Sequence, residues 1–534
     1  MQNQIQKQNP LNAEPSLFSS ASLGRRGFVR AAAALSLIPL MRRPAMGVVL
    51  SKVTFSDYPF SLGVASGDPL PDGVVIWTRL APDPLHGGGM PSENVEVRWQ
   101  VASDPQMKQI VQRGTTVASP DLGHSVHVEV SGLEPNRPYY YQFKCSGETS
   151  PIGRTKTAPR FDATPERLRF AFASCQHYEA GYFNGYYHMA DDDLDLVVHL
   201  GDYIYEGEGQ GGKVRKHSGK EINSLEDYRN RHAQYKTDAD LQAAHAAFPW
   251  LVTWDDHELD NNYANETSEQ THVDPKDFLI RRAAAYQAYY EHMPLRQASI
   301  PNGPMLQLYR GCAWGLLADF NVLDTRQYRT DQPCGDRNTA PCDGVYSETQ
   351  SMLGQEQETW LNRRLANSPA TWNILAQQVM MARVDRRPGE EIAYSMDQWP
   401  GYEVPRKRLM QFLQDQKIAN PVVLTGDIHC NWANELKVDY DDPKSPTVAA
   451  EFVGTSMSSG GDGMQNVDGA KITIDENPFV KFYNAERGYV RCDVTPGQWR
   501  TDYQVVPYVS RKGSPLLTRA SFVVEAGKSD VENA

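Results

Sequence analysis

Long hydrophobic runs are nearly absent from this chain of 534 residues. The one apolar stretch of note, residues 31–40, is shorter than the roughly 20 residues that a membrane-spanning helix requires. We therefore predict no stable membrane span. Hydrophobic residues make up 40% of the sequence and charged residues 22%, which is typical of a globular rather than a disordered protein. The length predicts two or three domains, because one hydrophobic core rarely serves so long a chain.

An excess of positive charge is also missing. Lys and Arg number 53 against 66 Asp and Glu, which gives a formal net charge of −13. This balance disfavours a general nucleic-acid-binding protein, because such proteins need a basic face to displace counterions from phosphates. It remains compatible with an enzyme that handles phosphate through bound cations, since carboxylates are the ligands that hard cations prefer.

Cysteine is sparse and is not arranged as in a zinc finger. The seven cysteines form no CxxC pair, and their odd number leaves at least one of them unpaired. Cys334 and Cys342 flank a short loop, which predicts a local disulfide if the compartment is oxidising.

The N-terminal region, residues 1–46, has the order of parts of a twin-arginine export signal. Arg25 and Arg26 are followed by Phe28 and by the mildly apolar run 31–40. A basic tail followed by a buried helix is the alternative interpretation. The signal predicts that the twin-arginine translocase is a partner during export, that the protein crosses the membrane folded, and that it resides in the periplasm or outside the cell.

Residues 50–158 predict a small all-β domain. Three segments alternate apolar and polar residues or are β-branched, namely 74–78, 95–100 and 126–130. The segment 133–143, with Tyr139 near its centre, resembles the tyrosine corner of an immunoglobulin- or fibronectin-like sandwich. We assign no chemistry to this domain and place a linker at 155–166.

From residue 167 the pattern changes to apolar runs of strand length that alternate with helical stretches. The four runs are 168–173, 194–200, 250–254 and 421–425. The polar residues that follow them are, in order, Cys175; Asp202 and Tyr205; Asp256 and His257; and Asp427 and His429. Alternation with helices predicts a βαβ core with buried strands, and ligands bind at the carboxyl ends of such strands. We therefore expect all four groups to meet at one edge.

The residue types in this set predict a site for two metal ions. Carboxylates suit hard cations, whereas imidazole, phenolate and thiolate suit a transition metal, and the last two together favour ferric iron. Asp202 and Tyr205 are close enough in sequence to reach one ion, as are Asp427 and His429. An aspartate shared between two ions forms the clamp that in-line displacement at phosphorus uses.

Three short motifs carry a family resemblance. Gly-Asp-x-x-Tyr at 201–205, Asp-Asp-His-Glu at 255–258 and Gly-Asp-x-His at 426–429 resemble the calcineurin-like metallophosphoesterase superfamily. The longer segments around them, together with Phe-Ala-Ser-Cys-Gln at 172–176, resemble the PhoD-type alkaline phosphatase/phosphodiesterase family. The resemblance covers nearly the whole chain. It implies an N-terminal β domain at 50–158 and, at 167–515, an α/β catalytic domain built as a four-layer α/β/β/α sandwich.

The resemblance also implies roles for single residues. Four ligands of ferric iron would be Cys175, Asp202, Tyr205 and His429. Asp202 would bridge to calcium, whose other ligands would be Asp256 and Asp427, with Asn261 as a lower-ranked candidate. His257 would face the phosphate. Arg326 is a possible phosphate contact, and its alternative role is a structural ion pair with Asp324 or a neighbour.

The expected function is hydrolysis of phosphate monoesters and diesters by a metal-bound hydroxide. Substrates would be small phosphate esters, or phosphodiesters in lipids, wall polymers or nucleotides. One alternative is a dedicated phospholipase-D-like or teichoic-acid-type diesterase, with specificity set by loops 206–222 and 455–470 and by a flexible Gly/Ser-rich rim at 454–461. The other is a non-enzymatic scavenger of metal or phosphate. We also expect Cys175 to stay outside any disulfide and Cys430 to be buried.

Overall fold

The structure, a computed structural model, describes residues 53–534. The export signal predicted within residues 1–46 lies outside the described residues. None of the helices in the described part of the chain is long and apolar enough to cross a membrane.

The strands of the described chain are numbered in sequence order. They are β1 (Val64–Leu70), β2 (Gly73–Arg79), β3 (Val95–Ala102), β4 (Ile110–Ala118), β5 (Ser125–Ser131), β6 (Pro138–Cys145), β7 (Glu148–Thr149), β8 (Gly153–Lys156), β9 (Leu168–Ala173), β10 (Leu196–His199), β11 (Pro249–Val252), β12 (Arg310–Trp314), β13 (Ala318–Val322), β14 (Asn338–Thr339), β15 (Trp372–Ala376), β16 (Tyr394–Ser395), β17 (Pro421–Thr425), β18 (Asn431–Lys437), β19 (Thr447–Val453), β20 (Val480–Asn484), β21 (Arg487–Val494), β22 (Gln498–Val506), β23 (Leu517–Glu525) and β24 (Glu532–Asn533). The α-helices are α1 (Asn184–Ala190), α2 (Leu225–Lys236), α3 (Ala239–Ala247), α4 (Pro275–His292), α5 (Gly354–Asn367), α6 (Glu403–Asp415) and α7 (Ala470–Glu476).

Two mixed sheets pack face to face and carry helices on their outer sides. The larger sheet has ten strands in the order β24-β23-β22-β21-β9-β10-β11-β1-β2-β5, and the smaller has seven in the order β12-β13-β15-β17-β19-β18-β20. The core between the sheets contains Phe170, Phe172 and Phe320. Helices α1–α4 cover the larger sheet and α5 and α6 cover the smaller one. The predicted four-layer α/β/β/α sandwich is confirmed.

Strand β9 shows why its residues are apolar on both faces. Phe170 and Phe172 lie in the core between the sheets, whereas Ala171 and Ala173 contact the helices on the other side. Successive side chains of a strand point to opposite faces, so a strand buried on both faces loses the polar half of its alternation. The same division holds in β10, where Val197 and Val198 lie in different cores.

The N-terminal β unit is joined to the ten-stranded sheet by strand pairing. A separate sheet of β4, β3, β6, β7 and β8 packs on β1, β2 and β5 through Val74, Val97 and Tyr141. Strand β1 also pairs in parallel with β11, with Gly67 opposite Trp250. One of the two sheets of the predicted sandwich, made of β1, β2 and β5, is therefore part of the ten-stranded sheet.

Three local predictions are confirmed. The backbone N–H of Glu134 donates to Tyr139 Oη at 2.9 Å, which is the contact expected of a tyrosine corner. Cys334 and Cys342 form a disulfide, and Cys175 is among the free cysteines. Cys430 is only partly buried, which corrects the expectation for it. The ten-stranded sheet also continues beyond residue 515, where the catalytic domain was predicted to end, because β23 and β24 add to it.

Lys236, at the end of α2, is a buried lysine whose amino group lies against two aromatic rings. Its ammonium lies 4.5 Å from the centroid of the Trp77 ring and 5.3 Å from that of Tyr203. Burial lowers the pKa of Lys236 to about 7 from the 10.5 of a free lysine. Between these two pKa values the unfolded chain binds more protons than the folded one. Stability contributed at this site therefore rises with pH across that window and is lost as pH falls towards 7.

We predict that Lys236→Met removes this dependence. The gain in unfolding free energy of the variant over the wild type should be largest near pH 7. It should shrink by up to about 1.4 kcal/mol per pH unit as pH rises to 10. Urea unfolding at several pH values measures the difference, with the exposed Lys276→Met on α4 as the control. A difference that does not change with pH would show that Lys236 is not neutralised by folding.

Candidate metal centre

The carboxyl ends of three parallel strands bring the first ligands together. His199, the last residue of β10, pairs with Ala173 at the end of β9 and with Val252 at the end of β11. The loops that follow are tied to each other, since the N–H of Cys175 donates to the carbonyl of Gly201 at 3.1 Å. The predicted convergence of Cys175 and Asp202 therefore follows from strand register.

Four predicted ligands share an unusual backbone conformation. Cys175, Asp202, Asp427 and His429 have φ angles of 58°, 55°, 66° and 56°. Residues other than glycine rarely adopt this left-handed region, and such strain persists only where the surroundings enforce it. Sharp turns directly after β9, β10 and β17 aim these side chains at a common point instead of continuing the strands.

One group of donors suits a transition metal. Ligand atoms of Cys175, Asp202 and His429 all lie within 4.8 Å of one another. Tyr205 Oη donates to Asp202 Oδ2 at 2.7 Å and lies 3.3 Å from His429 Nε2. The structure thus brings together the four residues for which the sequence predicts iron.

A second group shares Asp202 with the first. Ligand atoms of Asp202, Asp256 and His257 also lie within 4.8 Å of one another. Asp427 stands on the same side, because Arg326 Nη2 is 3.6 Å from Asp427 Oδ1 and 3.7 Å from Asp256 Oδ2. Asp202 therefore occupies the bridging position between two clusters.

The electrostatics of these groups call for cations. Burial raises the pKa of Asp202 well above its usual range; the charge of His257 opposes this rise, and the charges of nearby carboxylates add to it. Burial also raises the pKa of Asp427 to about 6. Burial likewise raises the pKa of Cys175 and of Tyr205. Asp202 Oδ1 is buried without a hydrogen-bond partner. An orphaned carboxylate oxygen beside a thiol, a phenol and an imidazole is the donor set that a bound metal would complete.

His257 lies at the opening of the centre and pairs with a carboxylate. Its Nδ1 is 2.7 Å from Glu206 Oε2, and its side chain is 21% exposed. Burial lowers the pKa of His257, but the negative charges of Glu206 and Asp202 outweigh burial and raise it well above the ordinary value. The negative charges around the ring therefore favour its protonated form.

Comparison with known proteins agrees with this geometry. The profile of the family described as PhoD-like phosphatase matches residues 170–503, and that of its N-terminal domain matches residues 47–159. The chain belongs to the PhoD-like phosphatase family. It is 52% identical over 517 residues to alkaline phosphatase D of Bacillus subtilis (strain 168). The aligned region covers 95% of this chain and 88% of the relative.

Solved structures extend the comparison of this PhoD-like chain. The structure of PhoD matches with a TM-score of 0.88 and 54% identity over 90% of this chain and 93% of the other. The purple acid phosphatase PPD1 of yellow lupin matches with a TM-score of 0.53 and 12% identity over 88% of this chain and 74% of the other. The latter likeness shows a shared fold.

Arg326 does not take the place predicted for it as a phosphate contact. Its side chain is 0% exposed, and Nη1 donates to both carboxylate oxygens of Asp397 at 2.9 Å while Nε donates to Asp255. The contact of Arg326 with Asp324 is through the backbone alone: its N–H donates to Asp324 Oδ1 at 3.0 Å. In this PhoD-like chain Arg326 therefore has the alternative role named above, a structural ion pair. Its partners are Asp255 and Asp397, and not Asp324.

Asp256 is favoured over Asn261 by its surroundings. Asp256 Oδ2 accepts the backbone N–H of Asn262 at 2.7 Å, so its carboxylate is held in the cluster. The backbone N–H of Asn261 donates to Glu206 Oε1 at 3.0 Å, and its side chain is partly buried. A ligand role for Asn261 stays a prediction.

Two supports of the centre were not predicted. Glu258 accepts the N–H groups of Asp202 at 3.1 Å, Tyr203 at 2.6 Å and Asp255 at 2.9 Å, so it joins two ligand-bearing loops. Ser459 Oγ lies 2.7 Å from Tyr205 Oη. Glu258 was visible as the last residue of Asp-Asp-His-Glu, whereas Ser459 lies in the Gly/Ser-rich segment 454–461, for which the sequence predicted a flexible rim and not a support.

The Gly/Ser-rich segment 454–461 is not the flexible rim that was expected. Ser456, Ser458 and Ser459 are at most 1% exposed. The N–H of Met457 donates to the carbonyl of Ser174, and Ser458 Oγ donates to the carbonyl of His177. Residues 454–459 are buried and support the loop that carries Cys175, whereas Gly460 is exposed.

We predict that Glu258→Gln weakens the metal centre. A carboxamide offers one acceptor oxygen in place of two, so at least one of the three N–H groups loses its partner. Replacing a residue that orients metal ligands typically costs roughly 10- to 100-fold in metal affinity or activity. Metal content after dialysis and kcat/KM measure the loss, with the exposed Glu266→Gln as the control. Equal metal retention and activity in both variants would show that Glu258 does not position the ligands.

Proposed function

We propose that this chain hydrolyses phosphate monoesters and diesters at a centre for ferric iron and calcium. Its membership of the PhoD-like phosphatase family makes it a phosphoric ester hydrolase. The observation that carries the metal assignment is the position of Asp202, which belongs to both donor clusters. Iron would be held by Cys175, Asp202, Tyr205 and His429, and calcium by Asp202, Asp256 and Asp427.

The cations, when bound, would supply Lewis acidity and positive charge at the phosphoryl group. The protein's own contribution is to keep the ligands apart from water and in fixed orientation. Ser459 Oγ at Tyr205 Oη and Gln398 Nε2 donating to Asp427 Oδ2 at 2.8 Å each hold one ligand in place.

His257 is the residue best placed to handle a proton. Glu206 engages Nδ1, which leaves Nε2 for the substrate. The raised pKa of His257 keeps a proton on the ring, so His257 can donate it to the departing alkoxide and stabilise charge on the phosphoryl oxygens. Glu206 in turn fixes the orientation of the ring.

We also propose a location and a range of substrates. The paired Arg25 and Arg26 and the Cys334–Cys342 disulfide support export by the twin-arginine translocase to the periplasm or the cell exterior, since disulfides persist in oxidising compartments. Small phosphate esters are the proposed substrates, with phosphodiesters of lipids, wall polymers or nucleotides as the wider class.

Hydrolysis of nitrophenyl phosphate and bis-nitrophenyl phosphate tests the function. We expect the iron- and calcium-loaded wild type to turn over both esters and to lose activity on chelation. Asp202→Asn should lower kcat/KM by more than roughly 100-fold, because it removes the shared ligand rather than an outer partner. The exposed Asp72→Asn is the matched control. Activity that survives chelation, or a fully loaded enzyme without turnover, would contradict the proposal.

A visible absorption band tests the iron ligands. A phenolate bound to ferric iron should give a charge-transfer band, so the purified holoenzyme should be coloured. Tyr205→Phe should lose the band, whereas the exposed Tyr187→Phe should keep it. Absorption spectra together with iron analysis give the comparison. An unchanged band in iron-replete Tyr205→Phe would remove Tyr205 from the ligand set.

A further inference from the structure

Arg386 carries a guanidinium group that the protein leaves without a partner. Within residues 53–534 the side chain donates no hydrogen bond and has no carboxylate within 4.0 Å. Its Nε is buried and unpaired. A buried donor without an acceptor is unfavourable, so it points to an acceptor that a ligand brings.

Other arginines around the centre are already engaged. Arg326 binds Asp255 and Asp397, and Arg329 donates to Asp397 Oδ1 at 2.7 Å. Arg487 donates to the carbonyl of His429 at 2.7 Å and to that of Gly461 at 2.8 Å. Each of these three guanidinium groups binds protein oxygens, although Arg326 Nη2 and Arg329 Nε are also buried without a hydrogen-bond partner. Arg386 differs from them because its whole guanidinium group donates no hydrogen bond within residues 53–534.

Arg386 stands beside the segment that carries two predicted ligands. Its guanidinium carbon lies 5.4 Å from the centroid of the Trp432 ring, and Trp432 follows His429 by three positions. Residues 427–430 are partly exposed between two buried stretches, 421–426 and 431–436, so the cleft opens there. Burial lowers the pKa of Arg386, whereas the nearby thiol of Cys430 and carboxylate of Asp427 act in the opposite direction. The cation therefore lies within electrostatic reach of Asp427.

The backbone around Arg386 is held in place. Asp385 Oδ1 accepts the N–H groups of Arg387 and Ala393, both at 3.0 Å. The N–H of Asp385 donates to Asn477 Oδ1 at 2.9 Å, and the N–H of Arg386 donates to the carbonyl of Ala393. Trp432 supports the face of the guanidinium, so the side chain is oriented before any ligand arrives.

We propose that the Arg386 guanidinium binds a non-bridging oxygen of the substrate's phosphoryl group on the Asp427 side of the centre. This inference rests on the proposed phosphoesterase function. The planar fork of arginine suits two oxygens of one phosphate, which a compact ammonium does not match. Arg386 thus takes the role that the sequence suggested for Arg326.

Competitive inhibition by inorganic phosphate tests the proposal in the full-length, metal-loaded enzyme. Arg386→Met keeps an unbranched apolar stem and removes the guanidinium group with its charge, and it should raise Ki for phosphate by roughly 10- to 100-fold. Arg386→Lys keeps the charge without the fork and should give an intermediate Ki, above that of the wild type. Metal content should stay at the wild-type level in both variants.

The adjacent Arg387 provides the matched control. It is exposed and pairs with Glu391 at 2.6 Å, so Arg387→Met removes the same charge one residue away. Its Ki should stay within about twofold of the wild type, as for surface substitutions in general. A wild-type Ki in Arg386→Met, or equal increases in the Arg386→Met and Arg387→Met variants, would overturn the proposal. If Arg386→Met does not fold, a wild-type Ki in Arg386→Lys overturns it.

Titration calorimetry with inorganic phosphate separates this inference from the proposed function. Binding to the metal-loaded protein is measured without turnover, so the comparison holds even if no ester is hydrolysed. We expect the same order of affinities, with the wild type and Arg387→Met tightest and Arg386→Met weakest. Equal affinity in all variants would reject Arg386 as a phosphate ligand, whatever the catalytic result.

Discussion

The structure around the metal centre depends on keeping several carboxylates ionised in one buried place. Asp202, Asp255, Asp256 and Asp427 are neighbours, and burial raises the pKa of three of them. Asp256 differs, because the positive charges of Arg326 and His257 outweigh its burial and lower its pKa. The buried Arg326 already supplies one positive charge to these carboxylates. The clustered ligand oxygens need further cations, bound on the side of the centre that opens to solvent.

This requirement accounts for the local backbone. Ligand side chains must converge over a few ångströms, which the strands alone cannot achieve since their side chains point to the faces of the sheet. Left-handed turns after β9, β10 and β17 redirect the chain. Ser459 Oγ donates to the carbonyl of Cys175 after β9, Glu258 accepts the N–H of Asp202 after β10, and Thr455 Oγ1 donates to the carbonyl of His429 after β17. The strain is concentrated at the site and is offset by hydrogen bonds around it.

Two arginines illustrate how partners decide the role of a residue. Arg326 is fully buried and pairs with Asp255 and Asp397, so it stabilises the charge arrangement of the carboxylates. At Arg386, hydrogen bonds to Asp385 hold the surrounding backbone, and the guanidinium group lies near the Trp432 ring. Its Nε has no hydrogen-bond acceptor among the described residues. The same functional group therefore serves the fold at Arg326 and, in our proposal, binds a ligand at Arg386.

The sequence by itself determined the features that local pattern encodes. Apolar runs of strand length predicted β9, β10, β11 and β17, and the polar residues after them predicted the convergence of Cys175, Asp202 and His429. The tyrosine corner and the Cys334–Cys342 disulfide were also local in sequence. The tertiary structure alone decided the pairing of β1 with β11, the burial of residues 454–459 and the ion pairs that enclose Arg326. These features depend on which distant segments meet, because burial and hydrogen-bond partners belong to the packed chain and leave no periodic trace in the sequence.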